Sequence, residues 1–181
     1  MQDLFDDFVA RYEGPKLAFI VTGGGIGIHQ LAQTLGASKL LHAIHVPYSY
    51  EESARFIREA WRAFPNKGVE LGEKYKEKAV SKKGAELLAQ AGSIIWPECR
   101  VISCSAATTT NRYRRGDNQA FIAKLEPTPN SINSARHHHL KLTKISEEDF
   151  KLMGLGYASW KRKDEDRQIT RFLLKLALGE V

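Results

Sequence analysis

The sequence predicts an α/β domain with a mixed sheet of about five to six strands. Short apolar runs alternate with stretches of helical period through the first hundred residues. A cluster of glycines joins the first apolar run to a helical pattern. Strand-like runs then follow one another near 100, 120 and 140 before a last amphipathic helix. Strands should be parallel where helices intervene and antiparallel at the final hairpin. The length suits one domain, residues 1–181, with a substantial core.

Residues 3–12 place Leu4, Phe5, Phe8, Val9 and Tyr12 on one helical face, and Gly14-Pro15 stops that helix. Leu17 to Val21 form a continuous apolar strand, followed by Thr22, Gly23, Gly24, Gly25 and Gly27. Ile28, Leu31, Ala32 and Leu35 recur at helical spacing, and Gly36 ends the helix. Residues 40–46 read as a second strand, broken by Pro47. Ser49 with Glu52 is a capping box that starts a helix at Tyr50, with Ala54, Ile57, Trp61 and Phe64 on its apolar face. Pro65 to Gly68 should close it, and residues 69–80 read as a solvated helix or loop. Ser81 caps a further helix that Gly92 is expected to stop.

Strands are expected at 100–105, 118–125 and 136–144. A polar basic loop from Ala106 to Asp117 separates the first two, and a proline- and asparagine-rich connection the last two. Ser146 to Met153 starts a short helix. From Asp166 on, Ile169, Phe172, Leu173, Leu176 and Ala177 mark the last one.

No apolar run is long enough to span a membrane. The acidic, amphipathic start lacks the features of a signal peptide, so a cytoplasmic location is expected. A net charge of +6 and a pI near 9.3 permit nucleic-acid binding without requiring it. Cys99 and Cys104 lie roughly 16 Å apart on an extended segment, too far for a disulfide. They read as free thiols in a reducing compartment, and neither has the partner spacing of a zinc motif.

The glycine turn is the leading candidate site. A strand running into a helix through Thr22, Gly23, Gly24 and Gly25 exposes backbone N–H groups that suit an anion. The glycine spacing is not a dinucleotide fingerprint, and no Gly-Lys-Ser/Thr follows as in a P-loop. Arg112 and Arg115 offer guanidinium forks for phosphate, with Ser105, Thr108 and Thr109 just ahead as hydroxyl donors. His45, Tyr48 and Ser49 stand at the end of the second strand, where α/β ligands gather. Strand parity puts His42 and His45 on opposite faces. His137, His138 and His139 read as a polar strand face, and no metal or cofactor is expected.

Thr22-Gly23-Gly24, Leu35-Gly36-Ala37-Ser38 and Val46-Pro47-Tyr48-Ser49 resemble motifs of the CinA C-terminal family, the nicotinamide mononucleotide (NMN) amidases. Residues 101–123 and 136–144 resemble a divergent branch of that family. The resemblance implies a three-layer α/β/α sandwich, a homo-oligomer and a phosphorylated ligand such as NMN. It also implies amide hydrolysis by a turn serine that a lysine assists. Here Ile20 stands at the serine position and Ser53 at the lysine position, with Thr22 the nearest hydroxyl. The leading expectation is a CinA-like protein that binds a phosphorylated small molecule. The alternatives are a non-catalytic binding or scaffolding protein and, last, a basic nucleic-acid-associated protein.

Overall fold

A computed structural model of the chain describes residues 2–110, 116–127, 135–143 and 146–181. Among them, five strands form one mixed sheet in the order β2-β1-β3-β4-β5. The strands are β1 (Leu17–Thr22), β2 (Leu41–His45), β3 (Arg100–Ala107), β4 (Gln119–Leu125) and β5 (Arg136–Lys141). β1 runs parallel to both β2 and β3, and β4 runs antiparallel to β3 and β5. All five strands lie where the apolar runs predict them.

Residue parity on β1 separates two cores. Leu17, Phe19 and Val21 face α1 (Gln2–Arg11), the 3₁₀ helix Ile26–Gln33 and the C-terminal half of α5 (Glu147–Leu178). Ala18 and Ile20 face α2 (Tyr50–Ala60), α3 (Pro65–Glu77) and α4 (Lys82–Ile95). The result is the expected three-layer α/β/α sandwich.

The 32-residue α5, roughly 48 Å long at ~1.5 Å per residue, is anchored at its C-terminal end. Arg100 donates to the Ala177 carbonyl at 2.7 Å and to Glu126 at 2.8 Å. The buried Lys124 ammonium lies 3.4 Å from the Leu176 carbonyl. Two cations at the negative end of the helix dipole tie α5 to β3 and β4.

Four local expectations change. The segment after the glycine turn is a 3₁₀ helix, because its first N–H groups are pinned to α5 and Gly27 has no room for a side chain. Pro65 opens α3 instead of closing α2, since its fixed φ suits the first helical position. Residues 146–178 form one helix and its cap instead of two helices. Gly92 lies inside α4, where an added Cβ would meet Ile20 at 2.6 Å and Val101 at 2.8 Å. It is the contact point of helix and sheet, and Gly92→Ala should destabilise the fold by about 1–3 kcal/mol through overpacking. A lowered thermal midpoint, with the circular dichroism of the folded state unchanged, would show this.

Candidate functional site

β1 and β3 run in register, with Thr22 opposite Ser105, so their C-terminal ends meet at one edge of the sheet. The chain leaves β1 toward β2 and leaves β3 toward β4, which opens a crevice between the two ends. Gly23 has a φ of +76°, and a Cβ there would stand 1.9 Å from the Ala106 carbonyl oxygen. Only glycine lets the two strand ends come this close. Thr108 then donates its hydroxyl to the Gly23 carbonyl at 2.7 Å.

The third wall is α5. Ser159, Arg162, Lys163, Asp166 and Arg167 share one helical face and line a cavity of about 580 Å³ with Gly23, Gly24 and Thr108. The Asp166 carboxylate accepts from the Ile26 N–H at 2.7 Å and from the Gly27 N–H at 2.9 Å. The turn therefore does bind an anion, and the anion is the protein's own. Among the described residues, Arg162, Lys163 and Arg167 form no ion pair, so this lobe keeps a surplus of positive charge.

A second lobe of about 380 Å³ shares Gly23, Thr108 and Arg162 with the first. Thr22, Tyr48, Ser49, Tyr50, Ser105 and Thr110 line it. Ser49 caps α2 by accepting from the Glu52 N–H at 3.1 Å, as the capping motif predicts. Ser105 donates to the Ala79 carbonyl at 2.7 Å. Ser53 is buried and donates to the Ser49 carbonyl at 3.1 Å. The buried Tyr75 hydroxyl sits among the hydroxyls of Thr22, Ser53 and Ser105 but has no hydrogen-bond partner among the described residues, and burial pushes its pKa up.

Thr22, Gly23, Gly24, Tyr48, Ser49, Ser105 and Thr108 thus meet at the cleft. Gly25 and Thr109 line neither lobe. Gly25 supplies the left-handed residue that starts the 3₁₀ helix. Thr109 donates both its N–H and its hydroxyl to buried Glu165, at 2.7 and 3.0 Å, and Asn118 donates to the same carboxylate at 2.8 Å. Arg112 and Arg115 lie outside the described residues. His45 is displaced from the cleft by its packing and stacks on Phe56 at 4.3 Å between ring centroids. His42 meets Trp96, and Trp96 meets Phe56, so both histidines join one row of rings despite their opposite parity. The register shift between Leu17 and Ala18 in the β1–β2 pairing breaks the regular alternation.

Sequence reasoning missed the α5 wall and Tyr75. The wall was signalled by the spacing of Arg162, Asp166 and Ile169. Tyr75 was signalled by Gly68, Gly72, Tyr75 and Ala79 at helical spacing within a charged stretch.

A mixed sheet of this order, covered by helices on both faces, opens its crevice between β1 and β3. The chain superposes on a CinA superfamily protein from Klebsiella pneumoniae with a TM-score of 0.65, at 10% identity, over 99% of this chain and 96% of the other. A competence or damage-inducible protein from Enterobacter asburiae gives 0.62 at 12% identity, over 98% and 94%. The competence/damage-inducible protein CihA from Agrobacterium tumefaciens gives 0.58 at 12% identity, over 98% and 91%. No protein-family profile and no curated protein sequence matches the chain. The chain shares the fold of these three proteins along nearly its whole length. No helix among the described residues is long and apolar enough to cross a membrane.

Two outcomes follow from this geometry. Glu165→Ala strands the buried Thr109 N–H and removes one of the two acceptors of the Asn118 amide, at about 1–3 kcal/mol for an unsatisfied group, so a drop in denaturant midpoint is expected. Burial lowers the pKa of His45 below its ordinary 6.5 and acts in the same direction on His137 and His138. The unfolded chain then takes up these protons first as pH falls. Stability is complete above the ordinary imidazole pKa and is lost as pH drops toward the lowered folded values. Melting between about pH 7.5 and pH 5.5 should show this loss, and His45→Gln should reduce it.

Proposed function

We propose that this chain is a CinA-like protein that binds a phosphorylated small molecule in the two-lobed cleft, with a mononucleotide such as NMN as the best fit. The observation that carries the reading is the cationic face of α5, which forms no ion pair among the described residues, beside a hydroxyl-lined lobe. Arg162, Lys163 and Arg167 supply phosphate-binding charge. The second lobe offers the hydroxyls of Thr22, Ser49 and Ser105 to a ribose or carboxamide, and the Tyr48 and Tyr50 rings to a base. The Asp166 carboxylate is spent on the turn N–H groups and so repels a phosphate less than a free carboxylate would.

Binding without turnover is the reading we favour. Ile20, at the serine position, is buried against α4 on the same face of β1 as Thr22 but beneath the cleft, and Ser53 holds no charge to assist a nucleophile. Thr22 is the hydroxyl of β1 that reaches the cleft, and any amide hydrolysis would depend on it. A cytoplasmic location and homo-oligomerisation complete the proposal.

A thermal-shift series of nicotinamide, NMN and other mononucleotides tests it. Phosphorylated ligands should raise the midpoint, and nicotinamide alone should not. Lys163→Ala and Arg167→Ala should each weaken a phosphorylated ligand by about tenfold, the loss of one charge-assisted hydrogen bond. Unchanged affinity in both variants would refute the assignment. Little ammonia should form from NMN. Turnover abolished by Thr22→Val would reverse the view that the cleft only binds.

A further inference from the structure

We propose that His42, Glu98 and Cys99 form a binding site for a divalent cation of the zinc class, at the edge of the sheet opposite the cleft. His42 is in β2 and Cys99 immediately precedes β3, so their side chains meet across the start of β1. Glu98 Oε1 lies 3.7 Å from His42 Nδ1 and 3.6 Å from Cys99 Sγ, and all three ligand atoms fall within 4.8 Å of one another. At 3.7 Å the imidazole and carboxylate are too far apart for a hydrogen bond. The spacing suits a shared ion instead: ligand bonds of ~2.0–2.3 Å in a tetrahedral site set donor atoms roughly 3.3–3.7 Å apart.

The donor set selects the metal. One sulfur, one imidazole nitrogen and one carboxylate oxygen favour zinc over calcium or magnesium, which take oxygen ligands. The site is held from behind. The Cys99 N–H donates to the Trp96 carbonyl at 3.0 Å, which closes the Trp96-to-Cys99 turn, and the Trp96 ring meets the His42 ring edge-on. Cys99 is buried, while Glu98 and the partly exposed His42 face solvent and leave a fourth position open to water. Binding releases the thiol proton to solvent and leaves the thiolate as ligand. No oxidation or reduction is involved.

The sequence concealed this site because its ligands do not share a local motif. His42 is separated from Glu98 and Cys99 by α2, α3 and α4, and only the β2-β1-β3 order brings them together.

The test is calorimetric titration of the chelator-treated chain with zinc chloride, paired with cobalt(II) absorption. One ion per chain is expected, together with a thiolate-to-cobalt charge-transfer band. Cys99→Ser should remove the band, and His42→Ala should weaken zinc by at least about tenfold, the loss that removing a mere outer-shell partner already produces. Zinc should raise the thermal midpoint of the wild type but not of Cys99→Ser. The cobalt band needs no variant and so reads the site even where Cys99→Ser folds poorly. No stoichiometric binding, no charge-transfer band, or binding lost instead in His137→Ala with His139→Ala would overturn the proposal.

Discussion

Two adjacent carboxylates on α5 hold the cleft together. Glu165 binds the segment that leaves β3, and Asp166 binds the segment that leaves β1. Neighbouring helical residues point about 100° apart, so one turn of helix can reach two strand ends. Each carboxylate accepts backbone N–H donors that would otherwise be orphaned near the protein interior. Without this pair, α5 would keep its apolar C-terminal contacts, its cationic anchors at Arg100 and Lys124, and the hydrogen bond from Arg162 to the Thr109 carbonyl. The wall that carries Arg162, Lys163 and Arg167 would then lose its polar ties to the segment that leaves β1.

The charge pattern of the cleft follows from the same arrangement. A glycine-rich turn before a helix is ordinarily a place for a ligand anion. Here the strongest part of that site, the N–H pair of Ile26 and Gly27, is occupied by Asp166. Anion recognition is thereby moved from backbone dipoles to side-chain cations one helical turn away on α5. The two devices differ in kind: backbone donors are fixed in place, whereas lysine and arginine side chains adapt to the ligand and respond to salt.

Much of the sheet was legible in the sequence because β1, β3 and β4 are largely buried, and their apolar runs are uninterrupted or alternating. The caps at Ser49 and Ser81 were legible because capping needs a hydroxyl at one defined position. The first half of α5 was hidden for the opposite reason. Its inward positions include Lys161 and Glu165, both buried, so polar residues interrupt the hydrophobic period where the helix matters most to the site. Tyr75 was hidden by the lysines and glutamates around it, although Gly68 and Gly72 let α3 approach the backbone of α2. Pairing across elements, such as Asp166 with Ile26 and Gly27, leaves no local trace at all.

The hydrogen bonds that complete the cleft span 140 and 139 residues, from the first strand-to-helix turn to the last helix. Contacts of such separation close a long loop and contribute to a high contact order, which slows folding. The two parallel strands and the glycine turn can pair well before α5 is available, and in that interval their N–H groups face water. A nascent chain therefore acquires its scaffold first and its binding geometry last. Loss of the final helix would abolish the pocket even where the sheet survived.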